Sequence, residues 1–217
     1  CNAAVAVYIY SLVPEFMLRF IAWLLIHSVY RLRQQGIGNI PEEGAAVLIC
    51  NHVSFVDPIV IAAASRRPIR FVMDHRIYRT PLIRFVFHHM HAIPIAPARE
   101  DAAMMEAAFE QVAEALEAGE LVAIFPEGKI TDTGELHPFR PGVQRIVGRT
   151  PVPVIPMALQ GLWGSFFSRK DGPAMSKPLR RGLFSKIALV VGSPVLPELA
   201  TPEHLQTIVA GLRGDWR

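Results

Sequence analysis

A chain of 217 residues can bury one sizeable core, and its composition predicts a single α/β unit with an appended N-terminal helical element. Hydrophobic residues make up 51% of the chain, which is high for a freely soluble protein of this size and indicates a surface that faces a membrane or a partner. Two cysteines, Cys1 and Cys50, are too few for a disulfide framework, so we expect a reducing compartment.

Positive charge is concentrated in two stretches, although the net charge is only +3. Residues 66–91 hold six arginines against the single acid Asp74, and residues 140–186 hold nine basic residues against Asp171. Such surfaces suit phosphate-bearing partners: nucleic acid, anionic lipid head groups or a nucleotide-containing thioester. Because no zinc finger, basic zipper or aromatic RNA-binding signature accompanies the arginines, we expect no nucleic acid partner.

The N-terminal residues 3–30 are strongly apolar but are interrupted by Pro14, Glu15 and Arg19. A spanning helix needs about 20 apolar residues, and neither half of this segment supplies them cleanly. We therefore predict a membrane-associated helical hairpin, broken near Pro14 and lying in the membrane interface, with four aromatic anchors: Tyr8, Tyr10, Trp23 and Tyr30. A packed pair of core helices and the tail of a spanning segment are the alternatives.

Apolar runs and helical periodicities alternate along the rest of the chain. Strands are predicted at residues 31–35, 45–50, 69–73, 92–95, 121–125, 152–159 and 187–192. Helices are predicted at residues 58–64, 78–90 and 101–118. This alternation predicts an α/β fold with a largely parallel central sheet of about seven strands flanked by helices.

The first candidate site directly follows the second predicted strand, in the run Asn51-His52-Val53-Ser54-Phe55-Val56-Asp57. His52 and Asp57 are five positions apart, so they would not share a face of one helix and can meet only across a bend. Asp57-Pro58 supplies a helix start, with Asp57 as N-cap, which leaves His52 in the preceding loop. Asp57 could then hold one ring nitrogen while the other abstracts a proton from a substrate hydroxyl. In the alternative, Asp57 only caps the helix.

The second candidate site directly follows the strand at 121–125, in the run Phe125-Pro126-Glu127-Gly128-Lys129. Open parallel sheets build their sites at the carboxyl ends of strands, so this loop and the His52 loop are expected to converge. Gly128 permits close approach of the backbone to a substrate, while Glu127 and Lys129 can hydrogen-bond a hydroxylated, phosphorylated head group. Alone, Pro-Glu-Gly is equally typical of a simple turn.

Together with a later block, Val152-Pro153-Val154-Ile155-Pro156, the two motifs resemble those of the glycerolipid acyltransferase family, the bacterial 1-acylglycerol-3-phosphate acyltransferases. The resemblance covers roughly residues 5–195 and is closest to the acyltransferase domain of 2-acylglycerophosphoethanolamine acyltransferases. It implies a membrane-associated element at 1–30 and an acyltransferase domain at 31–217. Such domains are often fused behind a lysophospholipid transporter, which would account for a first residue, Cys1, that is not Met.

The resemblance implies transfer of a fatty acyl group from acyl-CoA or acyl-ACP to a lysophospholipid hydroxyl, in phospholipid synthesis or remodelling. His52 would be the base, Asp57 its partner, and the residues from Phe125 to Lys129 the substrate-binding turn, with no cofactor beyond the thioester co-substrate. The implied location is the cytoplasmic face of the bacterial inner membrane, peripheral or monotopic, among membrane lipids.

Two phosphate ligands that the resemblance leads us to expect are missing from this chain. Family members usually carry an arginine after the strand at 92–95, where this chain has Ala96-Pro97, and they follow Phe-Pro-Glu-Gly with Thr-Arg, where it has Lys129-Ile130. A lysophospholipid with a substituted phosphate therefore becomes more attractive as the acceptor than lysophosphatidic acid.

Competing chemistries have weaker support. No Gly-x-Ser-x-Gly elbow is present, and Cys50 lies in an apolar strand, which favours a core position over a nucleophile. We assign no metal site, because the cluster His88-His89-Met90-His91 has no obvious acidic or cysteine partner and suits a polar rim near lipid head groups. A phospholipid transacylase and a non-catalytic lipid-binding module remain alternatives.

Overall fold

In a computed structural model, the apolar runs of the sequence form one sheet. The structure describes residues 2–79, 81–170, 172 and 185–216, with the backbone alone at 2–15, 81–83 and 85. Its strands are β1 Tyr30–Gln35, β2 Ala46–Cys50, β3 Ile69–Asp74, β4 Ile93–Ile95, β5 Leu121–Ile124, β6 Val154–Gln160 and β7 Ser185–Val191. The helices are α1 Asn2–Val29, α2 Asp57–Ala64, α3 His75–Tyr78, α4 Pro81–His89, α5 Ala102–Glu117, α6 Gly142–Arg149 and α7 Pro202–Arg213. Single turns of 3₁₀ helix lie at Ile37–Asn39 and Pro197–Leu199.

The strand order is β1-β7-β6-β2-β5-β3-β4, and among these pairings that of β6 with β7 is antiparallel. The predicted sheet, largely parallel with seven strands and flanking helices, is thereby confirmed. Every residue of β2 is buried, as expected of a parallel strand covered on both faces. Since β2 and β5 are parallel neighbours, the His52 loop and the Phe125 loop leave the same edge of the sheet.

The two faces of the sheet carry separate hydrophobic cores. On one face Leu48, Phe71 and Met157 pack with Ile26 of α1 and Ile61 of α2. On the other face, Ile49 and Val122 pack with side chains from α5, α6 and α7 that include Phe109, Ile146 and Leu205. Helices on both faces shield the central strands from water. This packing holds in place the strand ends that carry the candidate site.

The N-terminal segment forms one helix rather than the predicted hairpin broken near Pro14. Pro14 lies inside this helix, although a proline in a helix interior removes one hydrogen bond at a cost of about 3 kcal/mol. From residue 16 onward α1 exposes large apolar side chains, namely Phe16, Met17, Phe20, Ile21, Trp23, Leu24 and Leu25. Over the described residues, no helix is long and apolar enough to cross a bilayer.

Two of the predicted aromatic anchors can be placed. Trp23 is 46% exposed on α1, whereas Tyr30 begins β1 and is buried in the core, so Tyr30 is not available to a membrane. Tyr8 and Tyr10 lie outside the residues whose side chains are described. The division of the chain at residue 30 stays a prediction.

Helix boundaries refine the sequence predictions. The helix predicted at 78–90 is α4, and the short helix α3 that precedes it was not predicted. Helix α5 was predicted with its cap: Asp101 accepts a hydrogen bond from the Met104 backbone N–H at 2.8 Å. Helices α6 and α7 were not predicted. Gly142 and Gly148 in α6, and Gly211 in α7, weaken their helical signal because glycine is a poor helix former.

Candidate active site

Asn51 anchors the start of the His52 loop. Its buried side-chain amide accepts a hydrogen bond from the Leu159 backbone N–H at 2.7 Å and donates one to the Leu159 carbonyl at 3.0 Å. The side chain therefore occupies both backbone polar groups of a residue on β6, as a neighbouring strand would. The loop that carries His52 consequently begins from a fixed point.

His52 and Asp57 meet across the predicted bend. The Nδ1 of His52 lies 2.8 Å from the Asp57 Oδ2, and the aspartate is fully buried while the histidine side chain is 17% exposed. Within the described residues, the other ring nitrogen of His52 has no hydrogen-bond partner. One nitrogen is thus oriented by a carboxylate and the other is left for a substrate.

Asp57 is not the N-cap that the sequence suggested. Helix α2 begins at Asp57 itself, and the carboxylate points back into the loop, where its Oδ2 also accepts hydrogen bonds from the N–H groups of Val53 and Ser54 at 2.7 and 2.9 Å. The reading in which Asp57 only caps the helix is therefore wrong. Burial raises the pKa of Asp57, against the lowering effect of His52 and of the two N–H groups.

Phe125 provides a wall for the histidine. Its ring stacks on the His52 imidazole, with centroids 4.1 Å apart and planes inclined by 16°. The turn after it closes with a hydrogen bond from the Gly128 N–H to the Phe125 carbonyl at 3.0 Å, and Gly128 has a φ of 68°, which favours glycine. The two loops that carry the predicted motifs therefore do converge, because the Phe125 ring of one stacks on the His52 ring of the other.

Glu127 has different contacts from those the sequence predicted. The residue is only 2% exposed, its Oε1 accepts a hydrogen bond from the His52 N–H at 2.7 Å, and its Oε2 accepts one from the His137 N–H, also at 2.7 Å. Burial raises the pKa of Glu127 despite these two donors. Both oxygens of this buried carboxylate therefore bind backbone groups of the two loops, and the contact of Glu127 with a head group stays a prediction. Backbone partners have no sequence signature.

Arg140 is a site residue that the sequence did not single out, except as the first member of a basic stretch. Its backbone N–H donates to the Pro126 carbonyl at 2.9 Å, and its guanidinium lies directly against Gly128. Lys129 and Gly128 are exposed beside it. The site therefore has a cationic margin next to the turn.

The groups considered for competing chemistry lie in less suitable surroundings. Cys50 is buried, and burial, with the negative charge of Asp57 adding to it, raises the pKa of its thiol well above the ordinary value, which disfavours the thiolate. The rings of His88 and His89 pack edge to face. Over the described residues, no group of three or more His, Cys, Asp or Glu side chains could hold a metal ion.

Fold and site define the class of protein first: an α/β protein with a histidine at a parallel-sheet edge, oriented by a buried aspartate and flanked by a Phe-Pro-Glu-Gly turn. The family follows from sequence comparison. The chain belongs to the acyltransferase family, because the model of that family matches residues 31–160. The predicted glycerolipid acyltransferase membership is confirmed, and its finer resemblance to 2-acylglycerophosphoethanolamine acyltransferases stays a prediction.

Curated relatives include the chloroplastic 1-acyl-sn-glycerol-3-phosphate acyltransferases BAT2 of Brassica napus and LPAT1 of Arabidopsis thaliana, 29% and 27% identical over 148 residues. These matches cover 68% of this chain but only 42% and 41% of the relatives, so the chain spans about two fifths of their length. The crystal structure of the 1-acyl-sn-glycerophosphate acyltransferase PlsC from Thermotoga maritima has a TM-score of 0.68 at 20% identity, covering 91% of this chain and 76% of that one. At this identity the likeness shows the fold alone.

Proposed function

We propose that this chain transfers a fatty acyl group from a thioester, on coenzyme A or acyl carrier protein, to the free hydroxyl of a lysophospholipid. The observation that carries the proposal is the His52 imidazole, held through Nδ1 at 2.8 Å from a buried carboxylate while its other nitrogen has no partner among the described residues. The names of the relatives, which are acyltransferases for 1-acyl-sn-glycerol 3-phosphate, support the substrate class.

In the proposed reaction His52 acts as a general base. Its free nitrogen removes the proton of the acceptor hydroxyl while the hydroxyl oxygen bonds to the thioester carbonyl carbon. The tetrahedral intermediate then collapses, the carbon–sulfur bond breaks, and the imidazolium returns the proton to the departing thiolate. Asp57 holds the ring and stabilises the imidazolium that forms between the two steps. Products are an ester and a free thiol, and no acyl-enzyme is required.

The surroundings fit a lipid substrate. The exposed apolar side chains of α1 from Phe16 to Leu25 are suited to the membrane interface, where the acceptor resides. The proposal therefore places the protein at the cytoplasmic face of a bacterial inner membrane, as a peripheral or monotopic protein. The thioester is its co-substrate, and the chemistry needs neither a metal nor another cofactor.

The test is acyl transfer from labelled acyl-CoA and, separately, labelled acyl-ACP to a panel of lysophospholipids. We expect His52→Ala to lower kcat by about 10²- to 10⁴-fold, the usual worth of a general base, with unchanged circular dichroism. His204→Ala, at an exposed position on α7, is the matched control and should keep wild-type activity.

Two results would contradict the proposal. A folded His52→Ala protein with wild-type activity rules out the histidine base. A wild-type protein that yields product from neither thioester rules out the activity, and intact phospholipid would then be offered as donor to test the transacylase alternative.

A further inference from the structure

The backbone around Arg140 is fixed against the Pro126-Glu127-Gly128 turn. The His137 N–H donates to Glu127, and the Arg140 N–H donates to the Pro126 carbonyl at 2.9 Å. Between them Phe139 is buried, and its N–H donates to the Gln206 side chain of α7 at 3.0 Å. The segment that carries Arg140 is therefore tied both to the turn and to the core, which leaves only its side chain to respond to a ligand.

The Arg140 side chain packs on the glycine of the turn. A Cβ added to Gly128 would lie 2.8 Å from the guanidinium carbon and 2.9 Å from two of its nitrogens, closer than real Cβ atoms approach. The absence of a side chain at Gly128 is thus what allows the guanidinium to reach this position. The glycine of the motif makes room for a cation.

The positive charge of Arg140 is not neutralised by the protein. Arg145 and Arg149, on the following helix, pair with Glu106 and Glu110. In contrast, Arg140 is exposed and has no carboxylate partner within the described residues. An exposed guanidinium without a carboxylate partner can bind a phosphate through two parallel N–H donors.

Arg140 is linked to the His52 loop through the turn. Gly128 adjoins Glu127, which bonds the His52 N–H, so the cation lies beside the loop that carries the imidazole. In a lysoglycerophospholipid the free hydroxyl and the phosphate are separated by only a few bonds. The arginines that the family resemblance leads us to expect at Ala96-Pro97 and Lys129-Ile130 are absent from this chain.

We infer that Arg140 binds the phosphate of the acceptor and thereby selects acceptors that carry one. The inference rests on the proposed acyl transfer to lysophospholipids and adds a residue that fixes the acceptor class. Both a phosphomonoester and a phosphodiester offer oxygens to the guanidinium. The monoester carries more negative charge, so it depends more strongly on Arg140.

The experiment compares wild type, Arg140→Gln, Arg140→Lys and Arg33→Gln on three acceptors: lysophosphatidic acid, lysophosphatidylethanolamine and monoacylglycerol. Arg33→Gln removes the same charge from an exposed position of the edge strand β1 and should behave as wild type. For Arg140→Gln we expect kcat/KM to fall about 10- to 100-fold with lysophosphatidic acid, less with the diester, and not at all with monoacylglycerol. Arg140→Lys should recover part of the loss, because it keeps the charge but not the two-donor geometry.

Inhibition by glycerol 3-phosphate is a second readout that does not need the neutral acceptor to turn over. Its inhibition constant against lysophosphatidic acid should rise in Arg140→Gln by about the same factor. Equal losses on all three acceptors, or unchanged kcat/KM and unchanged inhibition, overturn the inference while the proposed activity stands. A wild-type protein that acylates no acceptor overturns the proposed function and this inference with it.

Discussion

The loop after β2 and the loop after β5 each bury one carboxylate, and the two carboxylates bond to different kinds of group. Asp57 gathers three donors on one oxygen, one of them the His52 ring, and leaves Oδ1 without a partner among the described residues. Glu127 uses both oxygens, one on the His52 backbone and one on the His137 backbone. Asp57 therefore orients the His52 ring, whereas Glu127 holds the His52 backbone.

This difference separates the consequences of removing each charge. In the proposed reaction, neutralising Asp57 acts on the imidazolium that would form on His52, so it should affect turnover more than stability. Neutralising Glu127 acts on two backbone donors in the resting protein, so it should affect both stability and turnover.

The largest effect is expected for Asp57→Asn. The asparagine oxygen can keep the three donors, but its NH₂ group would take the buried position where Oδ1 has no partner among the described residues, so we expect a folded protein that is about 1–3 kcal/mol less stable. The imidazolium loses its counter-charge, and we expect kcat to fall by about 10²- to 10⁴-fold in the acyl-transfer assay. Asp101→Asn, which can still cap α5, is the control. Activity within a few-fold of wild type would show that Asp57 does not act through its charge.

A smaller effect is expected for Glu127→Gln. The amide presents an NH₂ group to one of the two backbone donors, so one hydrogen bond is lost and a donor is left buried. We expect a loss of about 1–3 kcal/mol in the free energy of unfolding and a kcat about 10-fold lower, with the acceptor KM unchanged. Glu198→Gln, at an exposed position, is the matched control.

The kinetic constants of Glu127→Gln decide between two roles. A raised acceptor KM with normal kcat would mean that Glu127 contacts the head group, as the sequence predicted. In that case Glu127 would act in substrate binding and Asp57 in catalysis. The two carboxylates would then not differ simply in that one binds the His52 backbone and the other the His52 ring.

The smallest effect is a pH dependence of stability. Burial raises the pKa of Glu127 above its ordinary value of 4.5, so the folded protein holds this proton more tightly than the unfolded chain does. As the pH rises from about 4.5 through the folded-state pKa, the wild-type free energy of unfolding should therefore fall relative to that of Glu127→Gln. Urea denaturation of both proteins over this range measures the difference. A difference that grows in favour of wild type with rising pH would show that the two N–H donors outweigh burial.

The meeting of His52 and Asp57 could be predicted from sequence because a buried strand and a helix start bracket the pair, which fixes where the chain bends. The partners of Glu127 could not, because a backbone N–H is present at nearly every residue and leaves no pattern. The position of Arg140 depends on the path of the chain between Gly128 and Arg140, which carries no periodicity.

A similar limit applies to the fold. Continuous apolar runs such as 46–50 and 121–124 predicted buried parallel strands, since only strands covered on both faces are apolar at every position. Periodicity says nothing about which strands are neighbours, so the order with β7 between β1 and β6 was not predicted. Pro14 predicted a break in the N-terminal helix because its ring removes a backbone donor, but α1 continues through it.

The amide of Asn51 has a consequence for the order of events during synthesis. Its partner, Leu159, is 108 residues further along the chain, so the start of the His52 loop is not fixed until β6 has joined the sheet. Contacts of such long sequence separation form late, because a large loop must close first. A nascent chain that ends at Lys129, after β5, holds both motifs, but the start of its His52 loop is not yet fixed. The candidate site is therefore completed by the carboxyl-terminal third of the chain, which contributes no residue to either motif.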